Sequence, residues 1–198
     1  MKIVGIDEVG RGPLAGPVTV CAVSCDEKIY KSLFKNKNLP PVGKDSKKLK
    51  ESDREKFEKV LKQLTKEGKI SYKITHVSNT VIDTKGLSFS IKKALNSSVV
   101  GLKLKNDSKI LLDGGLKAPS EFKYQKTIIK GDEKERIIAW ASILAKVSRD
   151  GLMQKLGKKY PAYGLSLHKG YGTKAHRLAI QRSGLSPIHR VSFCRNLI

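Results

Sequence analysis

Lys2-Ile3-Val4-Gly5-Ile6-Asp7-Glu8-Val9-Gly10-Arg11-Gly12-Pro13 opens the chain with an apolar run that ends in two adjacent carboxylates and then breaks into glycines. Ile3 to Ile6 reads as a buried strand. An ionised aspartate at the end of a buried strand is costly unless something pairs with it, and the expected partner is a cation. The stretch therefore predicts a central strand with a charged site at its end.

The rest of the composition makes those acids conspicuous. Lys and Arg number 40 against 18 Asp and Glu, a formal charge of +22 over 198 residues. Solvated surfaces mix both signs, whereas here one dominates, which points to a polyanionic partner and favours nucleic acid. The length suits one domain with a full core, with residues from about 160 onward expected as a helical C-terminal extension. Three cysteines, an odd number in no metal-like spacing, argue for a reducing compartment and against a disulfide framework. No apolar run is long enough to span a membrane, and no signal-peptide pattern is present. A soluble, cytoplasmic monomer is expected, since no surplus apolar face calls for an obligate dimer.

After the opening strand, Pro17 to Val23 reads as a second strand paired with it across a Gly- and Pro-rich turn. Residues 26–48 read as loop. Phe57, Val60, Leu61 and Leu64 recur at helical spacing, with Ser52 as a cap and Gly68 as the stop. Residues 69–77 alternate as a strand, and Leu87 to Val99 predict a helix over about 86–101. Lys109 to Asp113 and Thr127 to Lys130 are two further short strands. A long helical pattern follows from Glu133 to about Tyr160, on which Ser142, Lys146 and Arg149 share a polar face. A last helix spans about 174–183. The order predicts an α/β fold with a mixed central sheet of about five strands flanked by helices, and a helical tail.

Three places combine a strand end, a carboxylate and a glycine: Asp7-Glu8 before Gly10, Asp113 before Gly114-Gly115, and Gly131-Asp132 before the long helix. Taken singly, Asp113 reads as a turn residue and Asp132 as a helix cap. Together they suggest four converging carboxylates, which repel one another unless divalent cations sit between them; hard Mg²⁺ or Mn²⁺ takes oxygen ligands. Two ions about 3.5–4 Å apart clamp the attacking and leaving oxygens of an in-line phosphodiester displacement. Gly43-Lys44 does not make a phosphate-binding P-loop, because Asn38 stands where the first glycine is required and Asp45 replaces the Ser or Thr.

Gly5-Ile6-Asp7-Glu8-Val9-Gly10-Arg11-Gly12-Pro13-Leu14-Ala15-Gly16-Pro17 resembles the opening signature of the ribonuclease HII family. The resemblance continues, in order, through Lys44 to Leu49, Asp113-Gly114, Lys130-Gly131-Asp132, Ala141 to Asp150, His168 to Thr173 and His189 to Phe193. It implies a ribonuclease H-like fold with a metal-binding, catalytic quartet on Asp7, Glu8, Asp113 and Asp132, using Mg²⁺ or Mn²⁺, two ions when substrate is bound. It implies endonucleolytic cleavage of the RNA strand of RNA/DNA hybrids and of the 5′ side of a single ribonucleotide in duplex DNA, leaving 3′-hydroxyl and 5′-phosphate ends. Gly10, Arg11, Gly12 and Tyr171 fall where the family senses the 2′-hydroxyl. Reading a group that both donates and accepts a hydrogen bond requires close backbone approach. Lys44, Ser46, Lys47, Ser142, Lys146 and Arg149 resemble phosphate-contacting positions, which orient a duplex without reading its sequence.

Two positions depart from the family pattern. Trp140 stands where a small residue is usual, and Ile82-Asp83-Thr84-Lys85-Gly86 ends in glycine where asparagine is usual. The related ribonuclease HIII carries an added N-terminal domain and lacks the tyrosine. A non-catalytic nucleic-acid-binding protein would share the charge but would not explain acids at strand ends.

Overall fold

The computed structural model describes residues 1–33, 36, 38–40 and 49–197. Strands β1 (Lys2–Val9) and β2 (Val18–Asp26) are followed by α1 (Glu27–Leu33), α2 (Glu51–Lys66), β3 (Ile70–Val77), α3 (Asn79–Lys85) and α4 (Leu87–Gly101). Then come β4 (Lys109–Asp113), β5 (Gln125–Ile128), α5 (Gly131–Lys134), α6 (Arg136–Lys159), a 3₁₀ turn (Pro161–Tyr163), α7 (Leu165–His168), α8 (Lys174–Ser183) and α9 (Val191–Cys194).

The five strands form one mixed sheet in the order β3-β2-β1-β4-β5. β1 to β3 pair antiparallel, and β4 and β5 add parallel to β1. β1 is thus central and covered on both faces, which is why its apolar residues run continuously instead of alternating. Pleating splits them: Ile3 and Val9 pack with residues of α1, α2 and α6, while Val4 and Ile6 pack under α3 and α4.

Gly5 decides how closely the long helix approaches. A Cβ there would lie 2.4 Å from the Ile137 carbonyl carbon and oxygen, so α6 rests directly on the backbone of β1. From Ile137 to Ala145 that helix is buried on every side, and its small residues Ala139, Ala141 and Ala145 permit the fit. Trp140 is fully buried in the same cluster and meets the Tyr30 ring edge-on, centroids 5.7 Å apart. The departure from a small residue is absorbed by filling space beside α1.

Several local expectations need correction. Residues 27–33 form a helix, not loop, with Tyr30 and Leu33 buried on one face. Helix α2 is capped at Lys50 and Ser52 lies inside it, making no cap bond. A separate helix, α3, precedes the expected one, capped by Ser78, whose side chain accepts from the Val81 N–H. Gly86 joins the two helices at φ 85° and ψ 162°, a conformation that only glycine adopts readily. The asparagine-to-glycine departure marks that junction. The long helix begins at Arg136, after the one-turn α5.

Residues beyond 160 are not a free tail. Tyr163, Leu165, Ile180 and Cys194 bury against Leu14, Ala15 and Met153, and Ala15 bridges to His189. The C-terminal segment therefore packs on the turn between β1 and β2.

Candidate active site

β1 and β4 run parallel with Ile6 beside Leu112. One step further along that register, Asp7 stands next to Asp113. Asp7 is 3% exposed, within the strand and two residues before its end rather than at it. Burial holds its carboxyl well above the ordinary range, and the nearby charges of Glu8 and Asp113 push it further. Bonds from Ser142 on α6 and from the Glu8 N–H act in the opposite direction and favour the ionised form.

Glu8 emerges on the other side of the pleat, where its Oε1 accepts from Arg11 Nη1 at 3.1 Å. Asp113 Oδ1 accepts the Gly131 N–H at 2.6 Å. That contact depends on two backbone features. Lys130 takes a left-handed conformation, φ 53°, and a Cβ on Gly131 would meet Ile138 Cδ1 at 2.7 Å. The adjacent Asp132 is buried in α5. The fold thus draws Asp7, Glu8 and Asp113 into one electrostatic neighbourhood and brings α5, with Asp132, against Asp113.

Among the described residues, no three His, Cys, Asp or Glu side chains are already drawn into a cage around an ion. The donor chemistry nonetheless fits a hard divalent cation. All four groups are carboxylates, and Asp7 is buried among like charges with no ion pair to a basic side chain among the described residues, an arrangement that a cation would relieve.

The turn at 10–17 is built from behind by two arginines. Arg149, fully buried, donates from Nε to the Pro17 carbonyl at 2.9 Å, from Nη1 to Lys169 at 3.0 Å and from Nη2 to Ala15 at 3.2 Å. Arg190, also fully buried, donates from Nε to Gly16, from Nη1 to Arg11 and from Nη2 to Gly10, at 2.9, 2.9 and 2.7 Å. Gly10 has φ 89°, and a Cβ on it would lie 2.4 Å from Arg149 Nε. Arg11 and Gly12 are exposed.

Tyr171 is 40% exposed, with Lys146 Nζ and the Arg149 guanidinium each 5.9 Å from its ring centre. Its backbone is pinned: the N–H donates to His168, and the carbonyl bonds His176 Nδ1 at 2.9 Å. Hydrogen bonding fixes the tautomers behind it. His189 Nδ1 accepts from the Ser186 N–H, so its Nε2–H donates to His176 Nε2 at 3.0 Å, leaving Nδ1–H of His176 for Tyr171. Burial lowers the pKa of His176 to about 4 and pushes that of His189 down as well, which favours the neutral form of both rings.

The expected phosphate contacts fare differently. Lys44, Ser46 and Lys47 lie outside the described residues. Ser142 is buried at Asp7, so it serves the acids. Lys146 is held by Asp150 at 2.9 Å with its ammonium beside Tyr171, and Asp150 is also approached by Arg54 at 4.0 Å. Arg149 corrects the expectation: it is not on a solvent-facing polar stripe but clamps carbonyls from inside. Arg190, Asp83 and the histidine cluster were not assigned roles from sequence. No periodicity flags Arg190 or Asp83, because their side-chain partners lie 108 to 180 positions away.

The family model described as Ribonuclease HII matches residues 4–196. A ribonuclease HII of Caldicellulosiruptor bescii is 42% identical over 197 residues, covering 99% of this chain and 88% of that protein. Ribonuclease H2 from Pyrococcus horikoshii OT3 superposes with a TM-score of 0.73 at 29% identity, covering 100% of this chain and 97% of the other. Bst-ribonuclease HIII in complex with Mn²⁺ shares the fold, with a TM-score of 0.65, 24% identity and coverage of 93% and 63%.

Proposed function

The chain belongs to the ribonuclease HII family and is a metal-dependent endoribonuclease of the ribonuclease H type; from that premise we propose that it cuts the RNA strand of RNA/DNA hybrids and the 5′ side of a single ribonucleotide in duplex DNA. The products on this reading are a 3′-hydroxyl and a 5′-phosphate. Asp7, Glu8, Asp113 and Asp132 hold Mg²⁺ or Mn²⁺, two ions with substrate present. Bound there, the ions supply the positive charge and activated water of an in-line displacement.

The observation that carries the proposal is the Asp7 and Asp113 pair. Two carboxylates abreast on neighbouring strands, one buried, raise each other's energy without any gain in packing. A site that must gather cations against a phosphodiester has use for that concentrated charge. Ser142 keeps Asp7 oriented and favours its ionised form, which is the ligating one.

Around the acids, the turn that runs from buried Gly10 to exposed Arg11 and Gly12 offers backbone to a sugar, and Tyr171 offers a ring to stack on the neighbouring one. Lys146, steadied by Asp150, meets phosphate. The excess of basic residues binds the duplex without reading sequence, and the protein acts as a monomer.

The test is incubation with Mg²⁺ or Mn²⁺ and a DNA duplex holding one ribonucleotide. One nick on the 5′ side, with the all-DNA duplex intact, is expected. A gel shift without cleavage would leave only a binding module.

A further inference from the structure

A trans peptide directs its C=O and N–H to opposite sides, and the described residues contain no cis bond. Arg190 takes the Gly10 and Arg11 carbonyls inward. The N–H groups of the same two peptides, those of Arg11 and Gly12, must then face away from Arg190. Both residues are exposed, and among the described residues neither N–H has an acceptor within the protein. Two backbone donors are therefore presented to the outside, and their aim is set by one guanidinium.

We propose that Arg190 is a positioning residue for ribose selection, fixing the two peptide planes of the Gly10-Arg11-Gly12 turn so that their N–H groups meet the substrate's 2′-hydroxyl. The proposal rests on the reading of that turn as the sugar sensor.

Three features support it beyond simple packing. First, Arg190 and Arg149 lie buried with all six donated bonds going to backbone carbonyls. Two buried cations resting on dipoles rather than on carboxylates are a poor choice for stability alone, since an apolar side chain of similar volume would avoid the desolvation. Second, burial and the neighbouring Arg149 charge lower the pKa of Arg190 to about 9, so the charge is retained at neutral pH at some energetic cost. Third, the segment bearing Arg190 is itself fastened. The Asp83 carboxylate accepts from the Val191 and Ser192 N–H groups at 2.9 and 3.0 Å. Arg190 N donates to Leu14 at 2.7 Å and Gly16 N to Ile188 at 2.9 Å. The C-terminal segment and the sensing turn form one hydrogen-bonded unit, so selection depends on residues 180 positions away in sequence.

Arg190→Lys tests this. A lysine keeps the charge but cannot span three carbonyls with a planar fork. On a duplex with one ribonucleotide, kcat is expected to fall about 10²-fold, as for loss of a preorganised donor, while KM and affinity for all-DNA duplex stay within about twofold. Unchanged kcat in the folded variant overturns the proposal, and so does a parallel loss of kcat and duplex affinity, which marks a purely structural role. If Arg190→Lys does not fold, Asp83→Ala, which unfastens the 191–192 turn, is read by the same criteria. Gly12→Ala separates the underlying reading: a Cβ there meets no atom of the described residues within 4 Å, so the variant is expected to fold. If Gly12→Ala cleaves normally, the sensor reading fails; if it is impaired while Arg190→Lys is not, only the positioning role fails.

Discussion

Asp113 Oδ1 accepts the Gly131 N–H at 2.6 Å, so the end of β4 is tied to the first residue of α5, immediately before Asp132. A methyl group at 131 would press on Ile138 Cδ1 at 2.7 Å and on Asp113 Oδ1 at 3.3 Å. Gly131→Ala is expected to lower stability by about 1–3 kcal/mol through overpacking. The metal concentration for half-maximal activity should rise, because Asp113 and Asp132 are spread apart. Urea titration and a Mg²⁺ activity curve check the two effects; an unshifted metal curve would separate Gly131 from metal binding.

At Asp7, stability and activity should move in opposite directions. Asp7→Asn removes a buried carboxyl that suffers desolvation and two like charges. The variant is expected to melt no lower than the parent, and up to about 2 kcal/mol more stable without metal. Its turnover should drop roughly 10³-fold or more, with duplex affinity retained. Calorimetry beside single-turnover cleavage decides it; a coupled loss of melting temperature and binding would assign Asp7 to folding.

Tyr171 offers a ring and a hydroxyl between Lys146 and Arg149. If stacking dominates, Tyr171→Phe keeps most activity at a single embedded ribonucleotide, and Tyr171→Ala loses about 1–3 kcal/mol of transition-state stabilisation. Affinity for the uncleaved duplex should change less. Equal losses in cleavage and binding for Tyr171→Ala would refute a sensing role.

Acid should loosen the support behind Tyr171. The folded pKa of His176 is about 4, lowered chiefly by burial, against 6.5 ordinarily. Between those values the unfolded chain binds more protons than the folded one, so stability falls as pH drops from 6.5 toward 4 and is fully present above 6.5. Protonation also sets two N–H groups face to face across the 3.0 Å His176 to His189 contact. Thermal melts from pH 7 to pH 4.5 should show a steeper decline for the parent than for His176→Gln. Identical slopes would place the acid sensitivity elsewhere.

The sequence alone determined the elements whose signal is local. β1 is legible because an unbroken apolar run must be covered on both faces, and the pairing of β1 with β2 follows from the short Gly- and Pro-rich turn. β4 and the boundaries of α8 are legible for similar reasons. The acids stood out because charge at the end of an apolar run demands compensation. The short helices α1, α3 and α5 were not legible, since four to seven residues carry too little periodicity to register.

Tertiary structure alone decided what surrounds the acids. The pairing of Asp7 with Asp113 depends on the parallel register of strands separated by 106 positions, and nothing in either segment encodes that offset. Arg149 looked like a surface contact because helical spacing put it in line with Ser142 and Lys146. It is interior because the C-terminal segment folds over that face of α6 and the turn's carbonyls need donors. Hydrophobic pattern reports burial against a sheet, whereas a buried guanidinium serving carbonyls has the same local signature as an exposed one. The opening stretch thus specified its strand and its charge, and the chain's far end specified how its turn is held.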